Sequence, residues 1–413
     1  MQGEGKTIIL LNNKEFSLIL IDKIVLGRQG EMKKSKLFLM AGWIVVFGTL
    51  LCSGPWAKEK GRVITPGDFF PEYSFPMTLS GSDVEYLGLP QKFFGLVKGD
   101  TFSLKDMKAD LIVVEFLNKY CFSCQLQAPV MNQVFSIVQK DPQMKGKVKF
   151  IGIAAGNNQR EAESFKAEKQ VPFPIVPDPK FLAYEAIGDP GATPFTIFIR
   201  KTDSGLLVAS TKVGLTKDPE KILKEMNDAL KEDWNALLKQ DKDLSIQEAK
   251  AQKLVLRYKE GELLNKAKES MLSPKWKVLN VAKMILPEEE EIYVGEIQAG
   301  KQKSYLFAKL SSRAPTCDVC HATHFFFTFN EKGMIVNFLP LQATKLNNLP
   351  WDTKEVEQMK QRLVGRSILQ PVDFDPQADA ISSATMTAAL IVDSVNKATA
   401  LYEGLKGKGY IKQ

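Results

Sequence analysis

The pattern of apolar and polar positions divides most of the chain into two regions of different type, joined by a charged segment. Residues 65–232 contain apolar runs rich in β-branched residues, separated by amphipathic stretches, which is typical of a sheet flanked by helices. Residues 233–275 are highly charged and carry leucines at helical spacing, so we predict a helical connector with a solvated face. Residues 276–411 begin with alternating strands and end with an apolar-striped helix, which predicts an α+β domain.

The clearest strand signal, the apolar run at 111–116, leads directly into a pair of cysteines and an amphipathic helix. These cysteines are Cys121 and Cys124. A cysteine in the first turn of a helix lies beside unpaired N–H groups and the positive end of the helix dipole, and both favour the thiolate. We therefore predict that Cys121 attacks a disulfide and that Cys124, one turn later, resolves the mixed disulfide. A bare pair of this kind could instead be half of a zinc site or a passive disulfide.

An export signal is predicted near the N-terminus, although not at residue 1. From Met32 onward, a short basic stretch precedes an uncharged run at 37–51 and then small residues suited to cleavage. We predict that residues 32–57 are a signal peptide or, alternatively, a retained membrane anchor, which places the protein in the periplasm or cell envelope. Residues 1–31 are predicted to be an extension or the product of a misassigned start codon.

Composition and charge narrow the class of function further. A chain of 413 residues is long enough for two domains. Part of its net charge of +7 lies in the N-terminal segment. The positive charge on the rest of the chain is therefore small, and it does not indicate a nucleic acid partner. Apart from Cys52, the cysteines form two close pairs rather than a long-range disulfide framework, and each pair is therefore expected to have a chemical role.

Further motifs within residues 65–232 carry a resemblance to a known fold. Pro129 follows Cys124 on the predicted helix, and Thr193-Pro194 opens a later β-branched strand. The order of strand, cysteine pair, helix with proline, strand, helix, Thr-Pro, hairpin and final helix resembles the thioredoxin fold. It is most similar to exported thioredoxin-like proteins of the bacterial cell envelope and to the peroxiredoxin-related redoxins.

This resemblance implies roles for individual residues. Pro194 would be cis and pack against the dithiol, the backbone of Thr193 would bind a substrate peptide, and Glu115 would relay protons to the second cysteine. Protein thiols or disulfides would be the substrates. Tyr120 stands where the family usually has tryptophan, and Phe-Ser separates the cysteines, so the resemblance leaves the direction of exchange open. The peroxidase alternative would require a lone cysteine in a Pro-x-x-x-Thr-x-x-Cys setting, which the sequence lacks.

The C-terminal region carries a second resemblance, in the string DAISSATMT at 379–387. It resembles the flavin-attachment sequence of FMN-binding domains in subunits of sodium-translocating NADH:quinone oxidoreductase. The resemblance implies FMN esterified to Thr385, with a flavin transferase reading the segment and a membrane-bound electron donor as a further partner. Hydroxyls and small residues at a helix start also suit a phosphate, although the same string could be an ordinary helix cap. The other residues of this predicted site are Asp379, Ser382, Ser383 and Ala384.

A second cysteine pair, Cys317 and Cys320, is followed directly by His321. In an exported protein this motif can attach haem c, with His321 as axial ligand. The same residues could supply zinc ligands. A third alternative is an exchangeable dithiol that passes electrons between the flavin and the first pair, and a fourth is a small structural disulfide. We rank the dithiol or disulfide first.

These features predict an α/β protein with a thioredoxin-like fold plus a C-terminal α+β FMN-binding-like domain. The favoured function is an exported thiol–disulfide oxidoreductase, coupled through its dithiol to a flavin-binding electron-transfer domain. The alternative is an assembly or docking factor for cytochromes or other cofactor proteins, in which the C-terminal domain holds no flavin.

Overall fold

The computed structural model describes residues 61–90, 101–287, 290–375, 381 and 384–412. The predictions on residues 1–57 and on Asp379, Ser382 and Ser383 lie outside the described residues. Within the described ranges, no helix combines the length and the apolar character needed to cross a membrane.

A five-stranded mixed sheet forms the centre of the N-terminal domain. The strands of this domain are β1 (Phe75–Pro76), β2 (Thr101–Phe102), β3 (Leu111–Leu117), β4 (Val148–Ala155), β5 (Ile175–Asp178), β6 (Phe195–Thr202) and β7 (Gly205–Val213). β1 and β2 form a separate short ladder, and the main sheet has the order β5-β4-β3-β6-β7. β3, β4 and β5 are parallel, whereas β6 and β7 are antiparallel to their neighbours.

Helices cover both faces of this sheet. They are α1 (Gly81–Leu87), α2 (Phe122–Lys140), α3 (Gln159–Glu168), α4 (Leu182–Ala186) and α5 (Pro219–Lys231), with a 3₁₀ turn at Leu104–Asp106. All seven residues of β3 are buried because alternate side chains enter opposite cores. Val113 and Leu117 face the core formed with α2 and α5, whereas Val114 and Phe116 face the core formed with α4. The prediction of a thioredoxin-like α/β domain is confirmed.

Three helices occupy the segment predicted as a connector: α6 (Trp234–Lys239), α7 (Ser245–Lys253) and α8 (Glu260–Ser270). α7 has no buried residue, as expected for a solvated segment. The other two contribute to cores: Leu237 of α6 packs in the N-terminal domain, while Ala267 of α8 packs against the C-terminal sheet. The segment is therefore part of both domains and not only a link between them.

The C-terminal domain is built on a five-stranded antiparallel sheet with the strands in sequential order. Its elements are β8 (Lys277–Ile285), β9 (Glu291–Ala299), β10 (Gln302–Arg313), β11 (Thr323–Asn330), β12 (Ile335–Gln342), the short ladder β13 (Thr344–Lys345) and β14 (Leu349–Pro350), a 3₁₀ turn at Leu346–Asn348, and the helices α9 (Thr353–Leu363), α10 (Thr385–Asn396) and α11 (Thr399–Gly407). α8 packs on one face, whereas α9, α10 and α11 pack on the other. The domain is thus mostly strands, and its identity with FMN-binding domains stays a prediction.

An ion network joins the two domains, which belong to one compact unit. Arg313, at the end of β10, contacts Asp393 of α10 at 2.5 Å and Glu185 of α4 at 3.2 Å. Lys397 also contacts Glu185, and it contacts Asp393 at 2.6 Å. Because the Arg313 side chain is 13% exposed, its charge is largely desolvated and depends on these carboxylates. The network therefore helps to hold α4 against the C-terminal domain.

Replacing Glu185 with glutamine is expected to lower the free energy of unfolding by about 1 kcal/mol, because Arg313 loses one of its two carboxylate partners in a partly exposed pair. Urea unfolding measures this loss, which should shrink at high salt. The matched control is Glu403→Gln, because Glu403 is exposed and its partner Lys406 is 3.4 Å away. An equal effect of both substitutions would contradict an interdomain role for Glu185.

Candidate active site

The turn between β3 and α2 places the first cysteine pair, and Asn118 fixes the shape of this turn. Its side-chain amide donates to the Ala155 carbonyl at 2.6 Å, and its side-chain oxygen accepts from the N–H of Tyr120 at 2.8 Å. The backbone N–H of Cys121 donates to the Asn118 carbonyl at 3.1 Å. A buried amide thus ties the end of β3 to β4 and directs the chain into the helix.

Cys121 is the N-cap residue of α2, and its sulfur accepts the N–H of Cys124 at 3.3 Å. Both cysteines are free thiols and each is 1% exposed. The two sulfurs therefore lie one helical turn apart in a site closed to water, which is the spacing that attack and resolution by neighbouring thiols require.

The two thiols differ in acidity because of their surroundings. The Cys124 thiol and its backbone N–H donate to the Cys121 sulfur, and they hold the pKa of Cys121 below that of an ordinary thiol despite burial and the nearby Asp318 carboxylate. Burial, together with the neighbouring Cys121 sulfur, raises the pKa of Cys124 well above its usual range. Cys121 is therefore the better nucleophile, and Cys124 must lose a proton before it can resolve a mixed disulfide.

The Thr193–Pro194 peptide lies across the site from α2, at the start of β6. It is cis, as the resemblance to thioredoxins implies. The Thr193 carbonyl is 3.3 Å from the Cys121 sulfur, and Thr193 itself is fully buried. The structure therefore brings the Thr-Pro segment and the dithiol together, although more than seventy residues separate them in sequence.

Glu115 lies beneath α2, on the face of β3 shared with Val113 and Leu117. Its carboxylate accepts from the Gln127 side chain at 3.1 Å, and Gln127 is one turn beyond Cys124 on α2. Burial raises the pKa of Glu115 to about 7, against the opposing effect of this hydrogen bond. A carboxyl group with this pKa can exchange a proton at neutral pH, which is what the predicted relay requires.

The second cysteine pair forms a disulfide between Cys317 and Cys320. Haem attachment and zinc binding both require free sulfurs, so neither fits this form of the protein. His321 is exposed, and its backbone N–H donates to Asn348 at 2.9 Å. Among the described residues, no group of three or more His, Cys, Asp or Glu side chains is arranged to hold a metal ion. The chain thus contains a reduced pair and an oxidised pair.

Of the predicted flavin site, the structure describes Ala384 and Thr385. α10 begins at Thr385, which is 9% exposed, and the side chain of Ala384 forms no capping hydrogen bond. The next residue, Met386, packs against the apolar cluster that contains Cys121 and Cys124. The helix start that would carry the flavin therefore borders the same apolar core as the dithiol.

Three parts of this site are not predicted from the sequence: Asn118, Gln127, and the pair Thr316 and Asp318. Asn118 and Gln127 are polar residues at buried positions, and the spacing of Gln127 from Cys124 on one helix was a usable signal. The third group, Thr316 and Asp318, lies in the C-terminal domain and hydrogen-bonds to Thr193. No local sequence pattern predicts the contact of these residues with Thr193.

Comparison with known proteins gives one family match. Residues 88–203 match the AhpC/TSA family, and this stretch includes both cysteines of the first pair, Thr193, Pro194 and Glu115. No curated protein matches the chain. The similarity to this redoxin family thus covers well under half of the 413 residues of the chain.

Several solved structures resemble part of the chain. StoA from Bacillus subtilis is 20% identical, with 31% of this chain and 90% of StoA covered and a TM-score of 0.25. A secreted disulfide oxidoreductase of Mycobacterium tuberculosis, described as homologous to E. coli DsbE, is 19% identical, with coverages of 31% and 89% and a TM-score of 0.26. The thioredoxin domain of a thiol-disulfide oxidoreductase from Bacteroides vulgatus is 14% identical, with coverages of 40% and 99% and a TM-score of 0.29.

Proposed function

We propose that this protein is an exported thiol–disulfide oxidoreductase whose dithiol exchanges electrons with a flavin on the C-terminal domain. The observation that carries the proposal is the unequal pair at the start of α2. Cys121 has a lowered pKa and accepts the Cys124 N–H, whereas Cys124 has a raised pKa and lies one turn before Gln127, which donates to the buried Glu115 carboxylate. Such a pair can attack a disulfide with one sulfur and release the product with the other.

Turnover of a protein disulfide tests the oxidoreductase activity directly. The exported protein should accelerate the reduction of insulin by dithiothreitol, because the Cys121 thiolate attacks disulfides at neutral pH more readily than an ordinary thiol does. Export itself is tested by the N-terminus of the mature protein, which should begin within or just after residues 32–57. A rate equal to that of dithiothreitol alone would contradict the proposed activity.

The residues at the start of α10 suit the phosphate of FMN. The first N–H groups of a helix have no intrahelical acceptor, and the Ala384 side chain caps none of them. The Thr385 hydroxyl stands in this first turn, where a phosphate ester would lie beside those N–H groups. Bound there, FMN would supply one- and two-electron transfer. Asp379, Ser382 and Ser383 stay predicted members of the same site.

Replacing Thr385 with alanine is expected to abolish covalent flavin attachment completely, because the ester has no other oxygen at this position. The measurement is the intact mass of the exported protein expressed with a flavin transferase: one FMN is expected on wild type and none on the variant. Thr387→Ala is the matched control, since the Thr387 hydroxyl donates to the Thr344 carbonyl at 2.7 Å and has another role.

The absence of FMN on the wild-type protein would contradict the flavin assignment and favour the docking alternative. That alternative keeps the dithiol chemistry but gives the C-terminal domain no redox group of its own beyond its disulfide. The insulin assay and the mass measurement therefore test the two halves of the proposal separately.

A further inference from the structure

A loop of the C-terminal domain lies directly on the dithiol site. We define the cysteine loop as residues 314–322, between β10 and β11. Two hydrogen bonds pair it with Thr193: the Thr193 hydroxyl donates to the Thr316 carbonyl, and the Asp318 N–H donates to the Thr193 carbonyl at 3.2 Å. Cys317 is the residue between these two. The Thr193 backbone and side chain thus hold a short bent segment centred on a cysteine.

The same Thr193 carbonyl also faces the reduced pair, since the Cys121 sulfur is 3.3 Å from it. Cys317 is 4% exposed and belongs to the apolar cluster that contains Cys121 and Cys124. One sulfur of the disulfide and both thiols therefore share a cluster from which water is excluded. The Thr193 carbonyl thus contacts both the reactive thiol and the residue that follows Cys317.

The loop is fastened to the N-terminal domain at further points. The Lys253 ammonium donates to the Asp318 carbonyl at 3.1 Å and to the Gly191 carbonyl at 3.3 Å, and so joins the loop to the segment before Thr193. A Cβ atom at Gly191 would lie 3.1 Å from the Ala314 Cβ, which is tighter than ordinary contact. The close approach of the loop thus depends on a glycine at this position.

Docking leaves some polar atoms of the loop without partners. The Thr316 hydroxyl oxygen and one Asp318 carboxylate oxygen are buried, and they have no hydrogen-bond partner within the described residues. Each such atom loses its hydration without compensation, which weakens the docked state. A loop held in this way can leave the site, as a substrate segment must.

We propose that the Cys317–Cys320 disulfide is the intramolecular redox partner of the Cys121–Cys124 dithiol, so that electrons pass between the two domains by thiol–disulfide exchange. This inference rests on the proposed oxidoreductase function and identifies the disulfide that the site binds in this conformation. That disulfide belongs to a Thr-Cys-Asp segment of the chain itself.

The exchange balances without an external reactant. The Cys121 thiolate attacks the Cys317 sulfur, forming the Cys121–Cys317 bond and releasing Cys320 as a thiolate, which takes up the proton lost by Cys121. Cys124 then loses its proton and attacks Cys121, forming the Cys121–Cys124 disulfide and releasing Cys317, which takes up that proton. The first pair is oxidised by two electrons, and the second pair is reduced by two electrons.

The exposure of the two cysteine pairs indicates that an external partner exchanges electrons with the second pair rather than with the first. Cys121 is 1% exposed, so an external protein cannot reach it while the loop is docked. Cys320 is half-buried, and the neighbouring Val319 is 65% exposed on the outer side of the loop. A partner with an extended cysteine-containing segment therefore meets the second pair first.

A cross-linking experiment on the full chain tests the proposal. In a Cys52→Ser background, the variant Cys124→Ser/Cys320→Ser leaves Cys121 and Cys317 as the only thiols, and it is oxidised with oxidised glutathione. Trypsin cuts the chain so that residues 120–140 carry the first cysteine and residues 314–332 carry the second. Mass spectrometry under non-reducing conditions then detects a disulfide between the two peptides. We expect this link to form at least tenfold faster in native protein than in urea.

Matched variants test the contacts that carry the inference. The variant Cys124→Ser/Cys317→Ser leaves Cys320 as the second thiol and should link at least tenfold more slowly, because Cys320 lies outside the Thr193-bound segment. Lys253→Met should slow the Cys121–Cys317 link, whereas Lys250→Met should not, since Lys250 is on the same helix but donates to the Gly188 carbonyl. Both lysine variants are made in the Cys124→Ser/Cys320→Ser chain, where the link is trapped. In the chain that keeps all four of these cysteines, Lys253→Met should also slow transfer of the disulfide from Cys317–Cys320 to Cys121–Cys124, which the same peptide mapping detects and which serves if the serine variants fold poorly.

The outcomes separate this inference from the proposed function. No link between the peptides in native protein, or equal rates for the two double variants, overturns the relay. An unchanged linking rate in Lys253→Met overturns docking as the source of the proximity. If the relay fails while Cys317→Ser/Cys320→Ser still accelerates insulin reduction, the oxidoreductase function stands alone. If that variant and wild type both fail in the insulin assay, the proposed function itself is wrong.

Discussion

Replacing Cys121 with serine is expected to lower the rate of insulin reduction by about a thousandfold or more, which is the loss typical of removing an enzymatic nucleophile. A serine hydroxyl does not ionise at neutral pH and forms no bond with sulfur under these conditions. The buried setting around Cys121 cannot compensate, because its hydrogen bonds stabilise a thiolate that is no longer present. The insulin assay at pH 7 measures this loss.

Cys124→Ser gives the informative comparison for that result. Cys121 keeps its sulfur and can still attack, so this variant should accumulate mixed disulfides while its turnover falls. The roles assigned to the two cysteines would be wrong if Cys121→Ser retained wild-type turnover, or if the mixed disulfides formed in Cys121→Ser and not in Cys124→Ser. Intact mass under non-reducing conditions detects these adducts.

Replacing Glu115 with glutamine is expected to slow the resolving step by about a hundredfold, the scale of a lost general acid or base. The glutamine can still accept from Gln127 but cannot take the proton of Cys124. The pH profile of resolution should lose the component near pH 7 that reflects the raised pKa of Glu115. Stopped-flow release of a thiol from a preformed mixed disulfide measures the rate.

The same substitution should stabilise the fold at alkaline pH. Because burial raises the pKa of Glu115 from 4.5 to about 7, the folded chain holds a proton that the unfolded chain loses between these values. The contribution of Glu115 to stability is therefore fully present below pH 4.5 and is lost as the pH rises to about 7. Glu115→Gln removes this loss, so we expect a gain of about 3 kcal/mol at pH 8 and little change at pH 4.

A surface substitution gives the control for both effects. Glu163→Gln lies on the exposed side of α3 and should change neither the resolution rate nor the dependence of stability on pH. Resolution at the wild-type rate across the pH range in Glu115→Gln would contradict the proton relay. An unchanged slope of stability between pH 5 and pH 7 would contradict the account of Glu115 as a buried carboxyl group.

If electrons pass through the cysteine loop, burial of Cys121 also determines which disulfide this cysteine reacts with. A dithiol covered by its own chain reacts with the docked disulfide rather than with other thiols in its surroundings. The effective concentration of an attached partner is high and independent of the protein concentration. Specificity for the internal partner then arises from connection and docking together.

The sequence alone determined the elements whose causes are local. An apolar strand, a cysteine pair and a helix in direct succession predict β3 and α2, since each signal depends on neighbouring residues. Asp352 and Glu355 likewise form the capping box that begins α9. β8 gave no comparable signal, because it is an edge strand with mostly exposed residues and needs no apolar alternation.

Only the tertiary structure decided what lies on the dithiol. The pairing of Thr193 with Thr316 spans 123 residues and depends on packing between two domains, which no sequence window contains. The second cysteine pair was visible as a motif and as a possible local disulfide, but its place beside the Thr193 segment follows from the docked loop and from the Lys253 and Arg313 contacts. Elements and motifs formed by adjacent residues can be predicted from the sequence. The proximity of residues in different domains cannot, because it depends on the sum of many contacts between residues far apart in sequence.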